Sequence, residues 1–356
     1  MRDKEQERTA EEQPWFPPRG KLLLAGCRSG EVFTEGVYNA YRRLYDNEFS
    51  EGEIAYLKNI DSSFSDSETY VRLQRHVGGC DVFLFQSLKN PTDGSDINDN
   101  YCALLIAARA FREHGARHVT AVLPYLAYSR QDKPTRFKRE PTTAALMANL
   151  AQRAGIDRVV TWHPHSRQIH GFYGNTPVNE LEPLTYFVNQ FKDMKGRDDV
   201  TVVAPDAGAA KMAIAISERL HVAHAIASKS RPGPEKVEHA EIIGDFSNKT
   251  TAIICDDIIS SGQTIEKVVQ KLTGELGITK IYICISHCLY APKAYEALER
   301  MHEQNGMQCC IVTDSIPPTE KFSSLHGFHI HSLTHTFARV IHNIHREISV
   351  SKAFFL

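Results

Sequence analysis

Short, wholly apolar runs recur along this chain, and they constrain its fold more than any other feature. KLLLAG (21–26), DVFLFQ (81–86), HVTAVLPYL (118–126), RVVTWHP (158–164), VTVVAP (200–205), HAIAS (224–228), TAIICD (251–256) and KIYICISH (280–287) carry few or no charges within the run. A strand that is apolar on both sides must be covered on both faces. Between the runs lie amphipathic stretches, EVFTEGVYNAYRRLY (31–45), NYCALLIAARAFREHG (100–115) and PTTAALMANLAQRAG (141–155). Alternation of this kind predicts an α/β chain with mainly parallel sheets flanked by helices, and in such folds ligands sit at the carboxyl ends of strands. TYVRL (69–73) also reads as a strand, and HTFARVIHNIHREIS (335–349) as a late helix.

At 356 residues there is material for two domains. Each half holds several strand–helix units with polar clusters after the strands, which hints at a duplication. The reading is a charged, disordered tail over 1–20, one domain over 21–183 and a second over 184–356. A net charge of −2 gives no basic field for nucleic acid. No apolar run approaches the ~20 residues of a membrane helix, and the first 20 residues lack the apolar core of a signal peptide. Eight scattered cysteines without a CxxC pair read as buried thiols in a reducing cytoplasm.

The stretch CDDIISSGQT (255–264) holds the clearest chemistry. AIIC reads as a strand and QTIEKVVQKLTGEL as a helix with Ile265, Val268, Val269, Leu272 and Leu276 on one face. Ser260, Ser261, Gly262 and Gln263 then form the turn into a helix N-terminus, where unpaired amides and the helix dipole suit a phosphate. Asp256 and Asp257 can accept hydrogen bonds from vicinal sugar hydroxyls. The plain alternative is an ordinary helix cap beside two solvated acids. No Gly-x-x-x-x-Gly-Lys loop occurs anywhere.

Other clusters read less specifically. His163 and His165 in HPHSRQIHGF are either a metal pair or surface histidines. Asp206 is a helix cap or an acid placed for magnesium. Lys229 and Arg231 in KSRPGPEKVEH belong to a solvated basic loop or to a flap that closes over a polyphosphate. Arg130, Gln131 and Asp132 are a surface ion pair or a nucleotide contact.

In order and spacing, FSDSE (64–68), LPYLAYSRQDK (123–133), REPTTAALMANL (139–150), PHSRQIHGFY (164–173), APDAGAAK (204–211), KSRP (229–232), DDIISSGQT (256–264), TDSIP (313–317) and SVSKAFFL (349–356) resemble the ribose-phosphate pyrophosphokinase family from about residue 21 onward. The resemblance implies two similar phosphoribosyltransferase-type domains and transfer of pyrophosphate from ATP to the 1-hydroxyl of ribose 5-phosphate. It implies Lys229 and Arg231 as the catalytic basic pair and residues 256, 257 and 260–264 as the ribose 5-phosphate site. His165 and Asp206 become the Mg2+-linked pair, and Arg130, Gln131 and Asp132 the ATP site. Phe64, Asp66 and Glu68 would join that site across a subunit interface of a homo-oligomer, built from dimers and often a hexamer. The chain departs from the family pattern at Ser67, which replaces a glycine, at Ser260, which often is aspartate, at His163, which often is an acid, and over 92–97 and 134–138. A regulatory subunit without activity and a phosphoribosyltransferase are the competing readings.

Overall fold

The structure is a computed structural model that describes residues 19–45, 54–230 and 239–353. The tail over 1–18 and the Arg231 position lie outside the described residues.

Two sheets organise the chain. The first takes β1 (Leu22–Gly26), β2 (Ile54–Leu57), β5 (Asp81–Phe85), β6 (His118–Leu123), β7 (Arg158–Trp162) and β8 (Val178–Leu181), in the order β2-β1-β5-β6-β7-β8, all parallel. Between β2 and β5, the short strands β3 (Asp61–Ser63) and β4 (Thr69–Val71) pair antiparallel as a separate hairpin. The second sheet has the order β11-β10-β9-β12-β13-β14-β15. Its strands are β9 (Val200–Ala204), β10 (Ala223–Ser230), β11 (His239–Ile243), β12 (Thr251–Ile259), β13 (Lys280–Cys288), β14 (Met307–Thr313) and β15 (Phe328–His331). Only β11 runs antiparallel, on β10. With β11 set aside, the two sheets share one strand order, so the duplication hinted at by the sequence is present in the topology.

Helices cover both faces, as the apolar strands require. On the first sheet, Leu23 and Ala25 face α2 (Ile97–Glu113) and α3 (Thr143–Ala154), while Leu22 and Leu24 join the opposite core with Phe33, Val37 and Tyr41 of α1 (Glu31–Tyr45). On the second, Ile254 packs with Ile265 and Val268 of α7 (Gln263–Gly274), and with Leu298 of α8 (Pro292–Gln304). Its neighbours Ile253 and Cys255 turn the other way, toward Ala213 and Ile216 of α6 (Ala210–Leu220). Thus α6 and α7 leave adjacent strands for opposite faces, and the ends of β9 and β12 part between them. Such a switch point is where doubly wound sheets bind ligands.

The last helix, α10 (Thr334–His345), does not stay with the second sheet. Phe337, Val340, Ile341 and Ile344 pack on the first sheet beside α1, with the Phe337 ring edge-on to Phe33 at 5.2 Å. Its far end is tied to the same sheet, where the buried Asp81 carboxylate lies 2.9 Å from His345 Nδ1 and accepts Arg19 Nε–H at 3.0 Å. The last helix thus crosses back from the second half of the chain to the sheet of the first.

Candidate active site

A cavity of about 550 Å3 opens at the second sheet's switch point, and the first sheet supplies its opposite wall. Asp256 and Asp257 line it, but they are not past the end of their strand as the sequence suggests. β12 continues to Ile259 because β13 keeps pairing it, Asp256 with Ile285 and Ile259 with Cys288. Its other neighbour, β9, pairs only as far as Ile254. The acids therefore sit on a strand with one side open.

Asp256 Oδ1 accepts the N–H of Asp257 at 2.9 Å. Burial, then repulsion from Asp257, pushes the Asp256 carboxyl above the usual carboxylate range. Asp257 moves down. Burial opposes its ionisation, but His165 Nδ1 lies 2.5 Å from its Oδ2 and outweighs the burial. The same hydrogen bond raises His165 above the ordinary imidazole value.

The turn after β12 is built for close approach. Gly262 caps α7 with φ 76° and ψ −12°, a left-handed conformation that glycine adopts freely. A Cβ there would lie 2.9 Å from Ala297 Cβ on α8. The first bond inside the helix runs from Glu266 N–H to Gly262 O at 2.9 Å, so the preceding amides lack an intrahelical partner. Arg300 fixes this first turn from α8 through two bonds to Glu266, 2.7 and 3.0 Å. Ser260, Ser261, Gly262 and Thr264 line the cavity, whereas Gln263 is exposed and does not. Ser261 gives only a long contact, 3.5 Å, to the Gln263 amide.

Asp206, just beyond β9, completes the acidic wall, its Oδ1 accepting Gly208 N–H at 2.8 Å. Its charge adds to the rise of Asp256. Among the described residues no three His, Cys, Asp or Glu side chains converge as a ready metal cage. Asp206, Asp256 and Asp257 line one cavity, and one or two carboxylates are the protein ligands that a hydrated Mg2+ takes.

Across the cavity stand Arg130, Asp132, His163 and His165 from the turns after β6 and β7. Lys133 joins them, a residue that sequence reasoning left unassigned. Gln131 does not line the cavity; its Oε1 accepts the Thr143 hydroxyl at 2.6 Å at the start of α3. The cavity is thus acidic on the wall formed by β9 and β12 and mostly cationic on the other.

Phe64, Asp66 and Glu68 are not brought to this cavity within the chain. They form the turn of the β3–β4 hairpin, where Asp66 Oδ1 accepts Glu68 N–H at 3.1 Å and the Phe64 ring, 57% exposed, rests 4.6 Å from Tyr70. Ser67 holds φ 74° there, so the serine keeps a conformation that suits the glycine it replaces. Lys229 belongs to the backbone ladder of β10, opposite Ala240 of β11.

Comparison with known proteins agrees with this geometry. Residues 39–155 match the family described as the N-terminal domain of ribose phosphate pyrophosphokinase, and residues 183–317 match the phosphoribosyl transferase domain. Ribose-phosphate pyrophosphokinase from Caldanaerobacter subterraneus is 37% identical over 302 residues, 84% of this chain and 91% of that protein. Ribose-phosphate pyrophosphokinase 1 from Listeria monocytogenes is 33% identical over 317 residues, 89% of this chain and 95% of the relative. The crystal structure of phosphoribosylpyrophosphate synthetase from Mycobacterium smegmatis superposes with a TM-score of 0.78 at 28% identity, covering 92% of this chain and 99% of that one. With both parts of the family matched in order, and the two-walled cavity where their halves meet, the chain belongs to the ribose-phosphate pyrophosphokinase family.

Proposed function

We propose that this chain transfers the β,γ-pyrophosphoryl group of ATP to the 1-hydroxyl of ribose 5-phosphate, releasing AMP and forming phosphoribosyl pyrophosphate. One observation carries the reading: the acid pair and the glycine-capped helix N-terminus share a cavity with Arg130, Asp132 and His165 of the other sheet. A sugar phosphate bound on one wall then faces a nucleotide bound on the other.

The assignment of roles follows charge and reach. Ser260, Ser261, Gly262, Gln263 and Thr264 take the 5-phosphate, mainly through backbone amides. Asp256 and Asp257 accept hydrogen bonds from the 2- and 3-hydroxyls. Arg130 and Asp132 take the nucleotide, with Gln131 holding their turn against α3. Phe64, Asp66 and Glu68 stand on an exposed hairpin that suits delivery into the site of a second copy, so the active form is a homo-oligomer built from dimers. Asp206 and His165, from opposite walls of the cavity, would hold Mg2+, which when bound neutralises phosphate charge. The sugar hydroxyl attacks the β-phosphorus and gives up its proton to water, the bond to the α-phosphate oxygen breaks, and AMP carries that oxygen and the bonding pair away. Lys229 and Arg231 neutralise charge that develops on the way.

The chain works in the cytoplasm on this reading; six of its eight thiols are buried and all eight are free. No described helix is long and apolar enough to cross a membrane. The domain division near residue 183 is kept, with α10 counted with the sheet it covers. Purified protein incubated with ATP, Mg2+ and ribose 5-phosphate is expected to release AMP only when the sugar is present. Pyrophosphate release from phosphoribosyl pyrophosphate and a base, without that AMP, would instead make it a phosphoribosyltransferase.

A further inference from the structure

Behind the cavity the two sheets meet along a polar seam that the roles above leave unused. His287, near the end of β13, is 2% exposed. Its Nε2–H donates to the carbonyl of His163 at 3.0 Å, and its Nδ1 lies 2.8 Å from Ser315 Oγ in the turn after β14. Its ring meets Tyr125, just past β6, edge-on at 5.1 Å. The adjacent Ser286 places its Oγ 2.6 Å from His163 Nδ1. A strand of the second sheet therefore grips both the backbone and the side chain of a residue at the end of the first.

His163 needs that grip. Its φ is 38°, a left-handed backbone on a residue with a bulky side chain, and such strain persists only where the surroundings over-determine it. The His163 amide donates to Leu181 O of β8 at 2.9 Å, and its carbonyl is taken by His287. The tight turn so formed points the chain back toward the second sheet, and two residues later His165 reaches Asp257. The shortest link between the nucleotide wall and the sugar wall depends on this turn.

We propose that His287 is a positioning residue for pyrophosphoryl transfer: by holding the His163 carbonyl it sets the reach of His165 to Asp257, and with it the alignment of the two walls. This rests on the functional reading above. Each wall keeps its own substrate contacts when the link slackens, so ground-state binding survives while alignment of the reacting atoms is lost. A displacement near 1 Å costs on the order of 10²-fold in rate.

Three variants separate positioning from simple support of the fold. The His287→Gln amide reaches as far as Nε2 and can still donate to the His163 carbonyl. His287→Asn reaches only as far as Nδ1 and keeps Ser315 alone. His287→Phe keeps the ring and neither bond. With turnover expressed per folded protein, from thermal melts of each variant, the Asn and Phe variants are expected to lose roughly 10- to 100-fold in kcat while KM for both substrates stays within about threefold. The Gln variant is expected to remain within about threefold of wild type in kcat. Should the Phe variant fail to fold, the contrast between Gln and Asn still decides. Equal turnover by those two in an active enzyme overturns this proposal alone, whatever their melting temperatures. A wild-type chain that forms no AMP overturns the functional reading and this proposal together.

Discussion

Replacing Gly262 by alanine tests the cradle where its construction is most exacting. The residue holds φ 76°, and a left-handed backbone costs an L-residue roughly 1–2 kcal/mol. The new methyl would lie 2.9 Å from Ala297 Cβ and 3.5 Å from Ala294 Cα. Both alanines are buried, at 1% and 0% exposure, so neither has room to retreat; overpacking of this kind adds about 1–3 kcal/mol. Alanine also restricts the unfolded chain, returning about 0.4–1 kcal/mol, which leaves a net loss near 3 kcal/mol. Gly274, at the end of the same helix, is the control: a Cβ there meets nothing within 4 Å, and alanine should gain about 0.5–1 kcal/mol. Guanidinium midpoints at one fixed protein concentration measure both, since self-association shifts apparent stability. The strain is relieved by tilting the turn, so KM for ribose 5-phosphate should rise more than kcat falls. Equal midpoints for the Gly262→Ala and Gly274→Ala proteins would mean that the turn holds no such strain.

Ser67→Gly should raise the unfolding midpoint slightly, by about 0.5 kcal/mol after the entropy of the added glycine is counted, because Ser67 holds φ 74° in its turn; a lower midpoint would show that the serine contributes a contact of its own. Lys229→Ala should cost roughly 3–4 kcal/mol of transition-state stabilisation, seen as a several-hundredfold fall in kcat with a much smaller change in KM for ATP. Acid should weaken the fold through two imidazoles, His342 buried and His163 half-buried at the cavity wall. Burial, followed by nearby cations, holds His342 at about 4, and burial, followed by His287, holds His163 at about 4. The unfolded chain protonates these histidines near ~6.5. Their stability is therefore complete above that value and drains away as pH falls toward 4. Denaturation midpoints between pH 7.5 and 4.5 should decline, and less steeply in His342→Phe; a slope unchanged by that substitution would remove His342 from the account.

The sheets and the phosphate turn were legible because their signals are local. A continuous apolar run announces a strand covered on both faces, and Ser-Gly before an amphipathic helix announces a helix N-terminus. What stayed hidden is long-range. The stripe on α10 declares that it is buried, but not that Phe337 seeks Phe33 across the first sheet. Asp256 and Asp257 look like the end of a strand, since acids rarely sit inside one; pairing with β13 carries the ladder to Ile259 all the same. The contact of His165 with Asp257 joins residues 92 apart. His287, a lone histidine in an apolar strand, reads as core until its two hydrogen bonds are seen.

The shared strand order raises the question of how the two switch points differ. In the first sheet the corresponding crevice lies between β1 and β5, and the loop after β5 fills it. Asn90 Nδ2 donates to Ser29 O at 3.1 Å and to the Asp93 carboxylate at 3.2 Å. Asp93 also takes the Ser29 hydroxyl and, at 2.9 Å, the Ser95 amide. Asp61 accepts the Arg28 amide at 2.6 Å. Donors at the end of β1 that could have turned to an anionic ligand are committed to the chain's own carboxylates. In the second sheet the acids stand on the strand itself, and the amides of α7 are left to a ligand. With its own crevice filled, the first sheet contributes from farther along, through the turns after β6 and β7. Those turns bring Arg130 and His165 to face the open crevice of its counterpart, so one half of the duplication serves as the lid of the other.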